Sequence, residues 1–197
     1  MASPTKNELR SRYLQKRQEL TPAVRKRDSA IIRQRILRHS AWREARTVLS
    51  YVSHGAEVDT QALLQEALDQ KKRLFVPCTS MDGSMILLSE LTRLEDLAPG
   101  YFKYILEPVP ARRKITDPFE VELALVPGLV FDRQGGRLGR GGGHFDRLLP
   151  SMTNALRWGL AFSAQIHPEP LPLAAHDIPM HAIVTEEDLL EISKPRP

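Results

Sequence analysis

Pro127-Gly128-Leu129-Val130-Phe131-Asp132-Arg133-Gln134-Gly135-Gly136-Arg137-Leu138-Gly139-Arg140-Gly141-Gly142-Gly143-His144-Phe145-Asp146-Arg147 is the stretch whose reading decides this chain. An apolar run, Leu123 to Val126, precedes it and reads as a buried strand. A helical pattern takes over near Phe145 to Leu149. Strand, glycine-rich loop and helix start make the layout of a phosphate cradle. Glycines let backbone N–H groups approach an anion closely, and a helix N-terminus adds a favourable dipole. Arg137, Arg140 and Arg147 bring cations to the loop, and Asp146 brings a hard oxygen ligand for a metal. We read the segment as the nucleotide-phosphate site of an enzyme. The alternative is a flexible glycine loop between a strand and a helix. Three arginines and an aspartate in one loop are costly to gather unless an anion and a metal compensate them.

The loop matches neither of the two common nucleotide fingerprints. A P-loop needs Lys-Ser/Thr after its last glycine, and His144-Phe145 stands there. In the pattern G-x-G-x-x-G the third glycine falls at His144.

Outward from the loop, the 197 residues suffice for one domain with a real core. No stretch approaches the roughly 18 apolar residues that span a bilayer. Met1-Ala2-Ser3-Pro4-Thr5-Lys6 lacks the apolar core of a signal peptide. The lone Cys78 excludes an internal disulfide framework and a multi-cysteine metal site, and is expected as a half-buried thiol. A cytoplasmic protein is expected. The net charge of +4 is unevenly spread. Basic residues crowd the stretch from Lys6 to Arg46, Arg10, Arg17, Arg27 and Arg35 among them, with few acids between. That face suits nucleic acid, plain solvent, or a field that draws in an anionic small molecule. Tyr13 and Trp42 lie too far apart for a stacking platform.

Thr5 to Glu19 reads as a helix with Leu9, Tyr13 and Leu14 on one face. Thr21-Pro22 caps a second helix to about His39, striped by Val24, Ile31, Ile32 and Ile36. Strands are expected at Thr47 to Val52, at Arg73 to Val76 (closed by Pro77), at Met85 to Leu88, at Leu156 to Phe162 and at Ala182 to Thr185. Asp59 or Thr60 caps a helix through Asp69, with Leu63, Leu64, Ala67 and Leu68 inward. Leu91 to Leu97 reads as a short helix, Pro99 to Asp117 as irregular, and the Lys194-Pro195-Arg196-Pro197 tail as frayed. The alternation gives an α/β fold: one domain over 1–197, a mostly parallel central sheet flanked by helices, and an N-terminal helical pair. Ligands on such sheets bind beyond the carboxyl ends of the strands, where the glycine loop falls.

Read as an ordered set, the motifs resemble the 5-formyltetrahydrofolate cyclo-ligase family. The set is Lys6-Asn7-Glu8-Leu9-Arg10, Glu57-Val58-Asp59-Thr60, Ile105-Leu106-Glu107-Pro108, the loop from Arg137 to Arg147, Ala161-Phe162-Ser163-Ala164-Gln165 and His176-Asp177-Ile178-Pro179-Met180. The resemblance spans nearly the whole chain. It implies ATP- and Mg²⁺-dependent ring closure of 5-formyltetrahydrofolate to 5,10-methenyltetrahydrofolate. It also implies ATP contacts from Lys6, Arg10, Arg137, Leu138, Gly139, Arg140, Gly141, Gly142, Gly143, His144 and Phe145, with Arg137 and Arg140 catalytic. Asp146 and Asp177 are the implied Mg²⁺ ligands, and Val52, Glu57, Tyr104 and His144 the implied folate contacts. The residues suit this chemistry independently. Glycine amides from Gly139 to Gly143 cradle phosphates, and Arg137 and Arg140 are bidentate donors. Taken alone, Lys6 and Arg10 also read as surface charge, Glu57 as a loop acid, and Asp146 and Asp177 as caps.

The chain departs from the family where two tyrosines are common, with His144 and Phe145 in their place. Phe102-Lys103-Tyr104 stands where a tryptophan is common. His144 brings a charge that changes near neutral pH, and so a pH-sensitive substrate contact is expected. The remaining histidines, His39, His54, His167, His176 and His181, show no metal spacing and read as structural or solvated. Small-molecule substrates, no membrane, no nucleic acid and a monomer complete the expectation. A relative acting on another formyl or amide compound is the competing enzyme. A nucleic-acid binder using the basic helices is the competing non-enzyme. Convergence of Lys6 and Arg10 on the glycine loop favours the enzymes.

Overall fold

The computed structural model describes residues 4–102, 104–174 and 177–192. The chain opens with α1 (Lys6–Glu19), α2 (Pro22–Arg38) and α3 (Ser40–Glu44), then enters β1 (Thr47–Leu49). Helix α4 (Gln61–Asp69) crosses to β2 (Arg73–Thr79), which turns back into β3 (Ile86–Leu91). Short strands β4 (Leu97–Pro99), β5 (Leu106–Pro108) and β6 (Ile115–Thr116) lead to β7 (Leu123–Pro127). A hairpin of β8 (Val130–Asp132) and β9 (Arg137–Leu138) precedes α5 (His144–Leu148). Strands β10 (Leu156–Leu160), β11 (Ile166–His167), β12 (Ala182–Val184) and β13 (Leu189–Glu191) close the chain.

Among the described residues, eight strands form one sheet in the order β13-β12-β10-β7-β1-β2-β3-β6. The inner ladders, from β12 through β10, β7 and β1 to β2, are parallel. The outer ones are antiparallel. This is the α/β sheet expected from the alternation of elements. Leu123, Ala124, Leu125 and Val126 are fully buried because β7 lies near the middle, covered on both faces. One face carries the cluster with Trp42, Leu64 and Trp158, and the other the cluster with Phe75, Phe131 and Met152.

The helix starts follow their side chains. Thr5 and Glu8 form a reciprocal capping box at the head of α1. The Thr21 hydroxyl accepts from Val24 N at 3.3 Å, ahead of Pro22 in the first turn of α2. At α4 the hydroxyl of Thr60 turns away to donate to Tyr51 O, and Asp59 Oδ1 accepts from Gln61 N instead.

Several expectations are corrected. Pro77 does not close β2, which runs on to Thr79. The β1 ladder ends at Phe75, so Pro77 sits where that edge of β2 has no strand partner and its missing N–H costs nothing. Cys78 lies inside β2 and is fully buried rather than half-buried. The stretch from Leu91 to Leu97 holds the end of β3, a 3₁₀ turn Leu94–Asp96 and the start of β4, not a helix. The proline-bearing region after it is partly ordered, through the β4–β5 pair and β6. Leu14 and Ile31 point outward, while Leu9, Tyr13, Ile32 and Ile36 are buried. His176 and the tail from Lys194 lie outside the described residues.

Between strand and glycine loop the sequence reading placed no structure, and the β8–β9 hairpin stands there. Buried Asp132 holds it. Its carboxylate accepts from Gln134 N and Gly136 N at 2.8 Å and from Leu171 N at 2.7 Å. Asp132→Ala orphans two buried donors and a half-buried one, and we expect a loss of about 3 kcal/mol in chemical denaturation. An unchanged midpoint would contradict this role.

Candidate active site

Helix α1 lays its capped end against the glycine loop. Arg10 Nε donates to Gly139 O at 3.0 Å, and Lys6 Nζ pairs with Asp177 Oδ2 at 2.5 Å. The two basic residues therefore converge on the loop, which favours the enzyme readings over a nucleic-acid surface. Lys6, Arg10, Leu138, Gly139, Gly141, Gly143, Asp146 and Asp177 line one hollow. Gly141 and Gly143 hold φ of +100° and +65°, which other residues adopt only under strain. Helix α5 has only five residues, so its dipole is small. Charge in the hollow comes from side chains and loop amides.

Arg137, next in the chain to Leu138 of this hollow, is almost wholly buried. Its Nη1 donates to Pro127 O at 3.2 Å, and its Nη2 pairs with Asp146 Oδ1. Burial works against the Arg137 charge, and Asp146 and then Asp177 sustain it. Both aspartates thus act on one guanidinium although 31 positions separate them in sequence (177 − 146). A Mg²⁺ ion needs only one or two carboxylates besides phosphate oxygens and water. Among the described residues no three acidic, histidine or cysteine side chains gather at one point. The donor set therefore suits an ion carried in with phosphates.

A second cavity, about 180 Å³, adjoins the first and shares Gly139, Gly143 and Asp146 with it. Val52, Glu57, Phe102, His144 and Phe145 line it. Glu57 is placed by a tight turn at Gly55, where φ is +63° and Glu57 Oε2 accepts from His54 N at 3.0 Å. Its other oxygen accepts from Arg140 Nη2 at 2.9 Å. Ile86, Ile105 and Leu106 add apolar lining. Tyr104 stands more than half exposed at the rim, its ring 5.1 Å from His54, and Phe102 is the aromatic that lines the interior. The His144 and Phe102 rings lie 6.0 Å apart. His144 and Phe145 line this cavity and not the hollow of the glycines.

The sequence reading missed two residues here. Glu107, buried, accepts from Thr79 N and Oγ1 and from Arg113 Nη2, which closes the cavity floor. Arg17 lines the cavity while only 2% exposed. The signal for Arg17 was legible: with Leu9 and Tyr13 it takes every fourth position, so an arginine stands on the buried stripe of α1.

A parallel sheet with a glycine-and-arginine loop and a cavity at its carboxyl ends defines an α/β enzyme. A profile of the 5-formyltetrahydrofolate cyclo-ligase family matches residues 2–186, and the chain belongs to that family. It is 30% identical over 193 residues to a 5-formyltetrahydrofolate cyclo-ligase of Mycolicibacterium smegmatis, covering 94% of this chain and 95% of the relative. With the mouse enzyme of that name it shares 27% over 191 residues, 92% and 94% of the two chains. The solution structure of 5,10-methenyltetrahydrofolate synthetase from Aquifex aeolicus superposes with a TM-score of 0.84 at 34% identity, covering 98% of this chain and 95% of the other.

Burial, and then the Arg147 cation, hold the His144 imidazolium below its usual 6.5. A lowered value means that the folded state resists protonation. Whatever the neutral ring contributes is present above about pH 6.5 and lost as pH falls through the folded value. The pH-sensitive contact therefore belongs to the acid side. The rate of the native protein relative to His144→Phe is expected to be constant above neutral and to change as pH falls below it. A ratio that stays constant from neutral into the acid range would contradict this assignment.

Proposed function

We propose that this protein converts 5-formyltetrahydrofolate to 5,10-methenyltetrahydrofolate with ATP and Mg²⁺, releasing ADP and phosphate. The formyl oxygen attacks the γ-phosphorus, and the P–O bond to ADP breaks. N10 then attacks the formyl carbon, the carbon–oxygen bond breaks with its electron pair going to phosphate, and the N10 proton passes to solvent. The chain's task is alignment and charge neutralisation. Amides from Gly139 to Gly143, with Lys6 and Arg10, hold the phosphates. Arg137 and Arg140 meet the charge that develops on transfer. Asp146 and Asp177 would hold Mg²⁺, which would draw charge from the phosphate oxygens. Glu57 accepts from the N–H donors of the pterin, with Val52, Phe102, His144 and, at the rim, Tyr104 around it. We further infer a monomer in the cytoplasm acting on these small molecules. No described helix is long and apolar enough to cross a membrane.

One observation carries this reading: the 2.9 Å contact between Arg140 and Glu57. It brings the phosphate loop and the pterin anchor together, as transfer of a phosphoryl group to a pterin substituent requires.

The test is the absorbance rise of methenyltetrahydrofolate on mixing the protein with 5-formyltetrahydrofolate, ATP and Mg²⁺. The rise is expected to need both ATP and metal. Arg140→Ala and Asp146→Ala should each lose about 10²-fold or more in kcat. No rise with ATP binding intact would move the reading to a relative with another formyl or amide substrate. Loss of both would sink the phosphate-cradle reading.

A further inference from the structure

Ion pairing in the cavity leaves one cation over. Three carboxylates line it, and each has a guanidinium partner: Glu57 with Arg140, Glu107 with Arg113, and Asp146 with Arg137. Arg17 is the exception among the described arginines that line it. Its Nη1 makes a long hydrogen bond, 3.4 Å, to Gly128 O, and its Nε is buried with no partner. No described carboxylate lies within ion-pair distance of it. Burial works against its charge, and Glu57 offsets this from farther away. A buried cation with no anion is among the costliest things a protein can hold. It persists where a ligand supplies the missing charge.

The position says which charge. Arg17 and Arg137 sit on adjacent carbonyls at the end of β7, Gly128 O and Pro127 O. Arg17 lines the cavity that holds Glu57, together with Gly139, Arg140 and Gly142 of the loop. It does not line the hollow where Lys6, Arg10 and Gly141 lie. It also lines a third hollow, with Arg10, His54 and Arg140, so its charge stands between the cavity and the cations beside the loop.

We propose that Arg17 is a further catalytic residue, the cation that receives the phosphoryl group as it passes from nucleotide to formyl oxygen. This rests on the function proposed above. As the P–O bond to ADP breaks and the bond to the formyl oxygen forms, the equatorial oxygens turn toward Arg17. When N10 displaces the group, the electron pair that phosphate carries away is stabilised by the same guanidinium. A planar five-donor fork suits a phosphoryl group better than an ammonium does.

Arg17→Gln is the test. Expected is a loss of about 100-fold in kcat, with Kd for ADP and for 5-formyltetrahydrofolate each within about threefold of the native protein. Inorganic phosphate, added as a product inhibitor, should bind about tenfold more weakly, while ADP inhibition holds. A purely structural role would not single out phosphate. Arg17→Lys, which keeps the charge, should recover part of both effects, and it carries the test alone if the glutamine variant does not fold. A rise in the folate Kd with kcat unchanged would assign the cation to a substrate carboxylate and overturn the proposal. So would a fall in kcat with phosphate inhibition unaltered. A native protein with no turnover at all would instead overturn the function itself.

Discussion

A guanidinium taken out of water at the carboxyl end of β7 sets the terms for the rest of the molecule. Arg137 is buried, so its charge must be met locally or abandoned. Pro127 O meets one N–H from the strand end, and Asp146 meets another from α5. Asp177 adds its field and is held in turn by Lys6 of α1 and by Ala174 N. Four distant parts of the chain are thereby drawn to one point. Each side chain satisfies another's desolvation, and removing any one leaves a buried charge exposed to the full cost.

The same arrangement prepares the site for anions. Cations at the loop are already fixed in direction by carboxylates and carbonyls before any ligand arrives. On the proposed function, phosphates would meet donors that need little reorganisation, which is where most electrostatic catalysis originates. The acids temper the field in the meantime. Arg140 rests on Glu57. On the proposed function, phosphate and pterin would each take the other partner's place, which would tie binding of the two substrates through one ion pair.

Much of this was legible in the chain. The apolar run from Leu123 to Val126 could be only a buried strand. The Thr21–Pro22 cap announced the second helix, because capping is a local matter of a few bonds. Pro77 misled, because whether a missing N–H matters depends on which edge of the strand is paired. The β8–β9 hairpin escaped notice because Asp132, which holds it, also reaches Leu171 far along the chain. The folate-side aromatics were mixed. Phe102 lines the cavity and Tyr104 stands at its rim, a choice that follows from how the segment folds over the Gly83 turn and not from residue type.

By itself the sequence determined the strand, loop and helix order, the glycines of the loop, the supply of arginine and aspartate, and membership of a family. Those depend on neighbours in the chain. Only the tertiary structure decided which charges pair: that Lys6 meets Asp177, that Arg140 rests on Glu57, and that Arg17 stands buried without a carboxylate among the described residues. Pairing is a contest between desolvation and Coulomb attraction over a few ångströms. Those distances exist only once strands far apart in sequence have been set side by side.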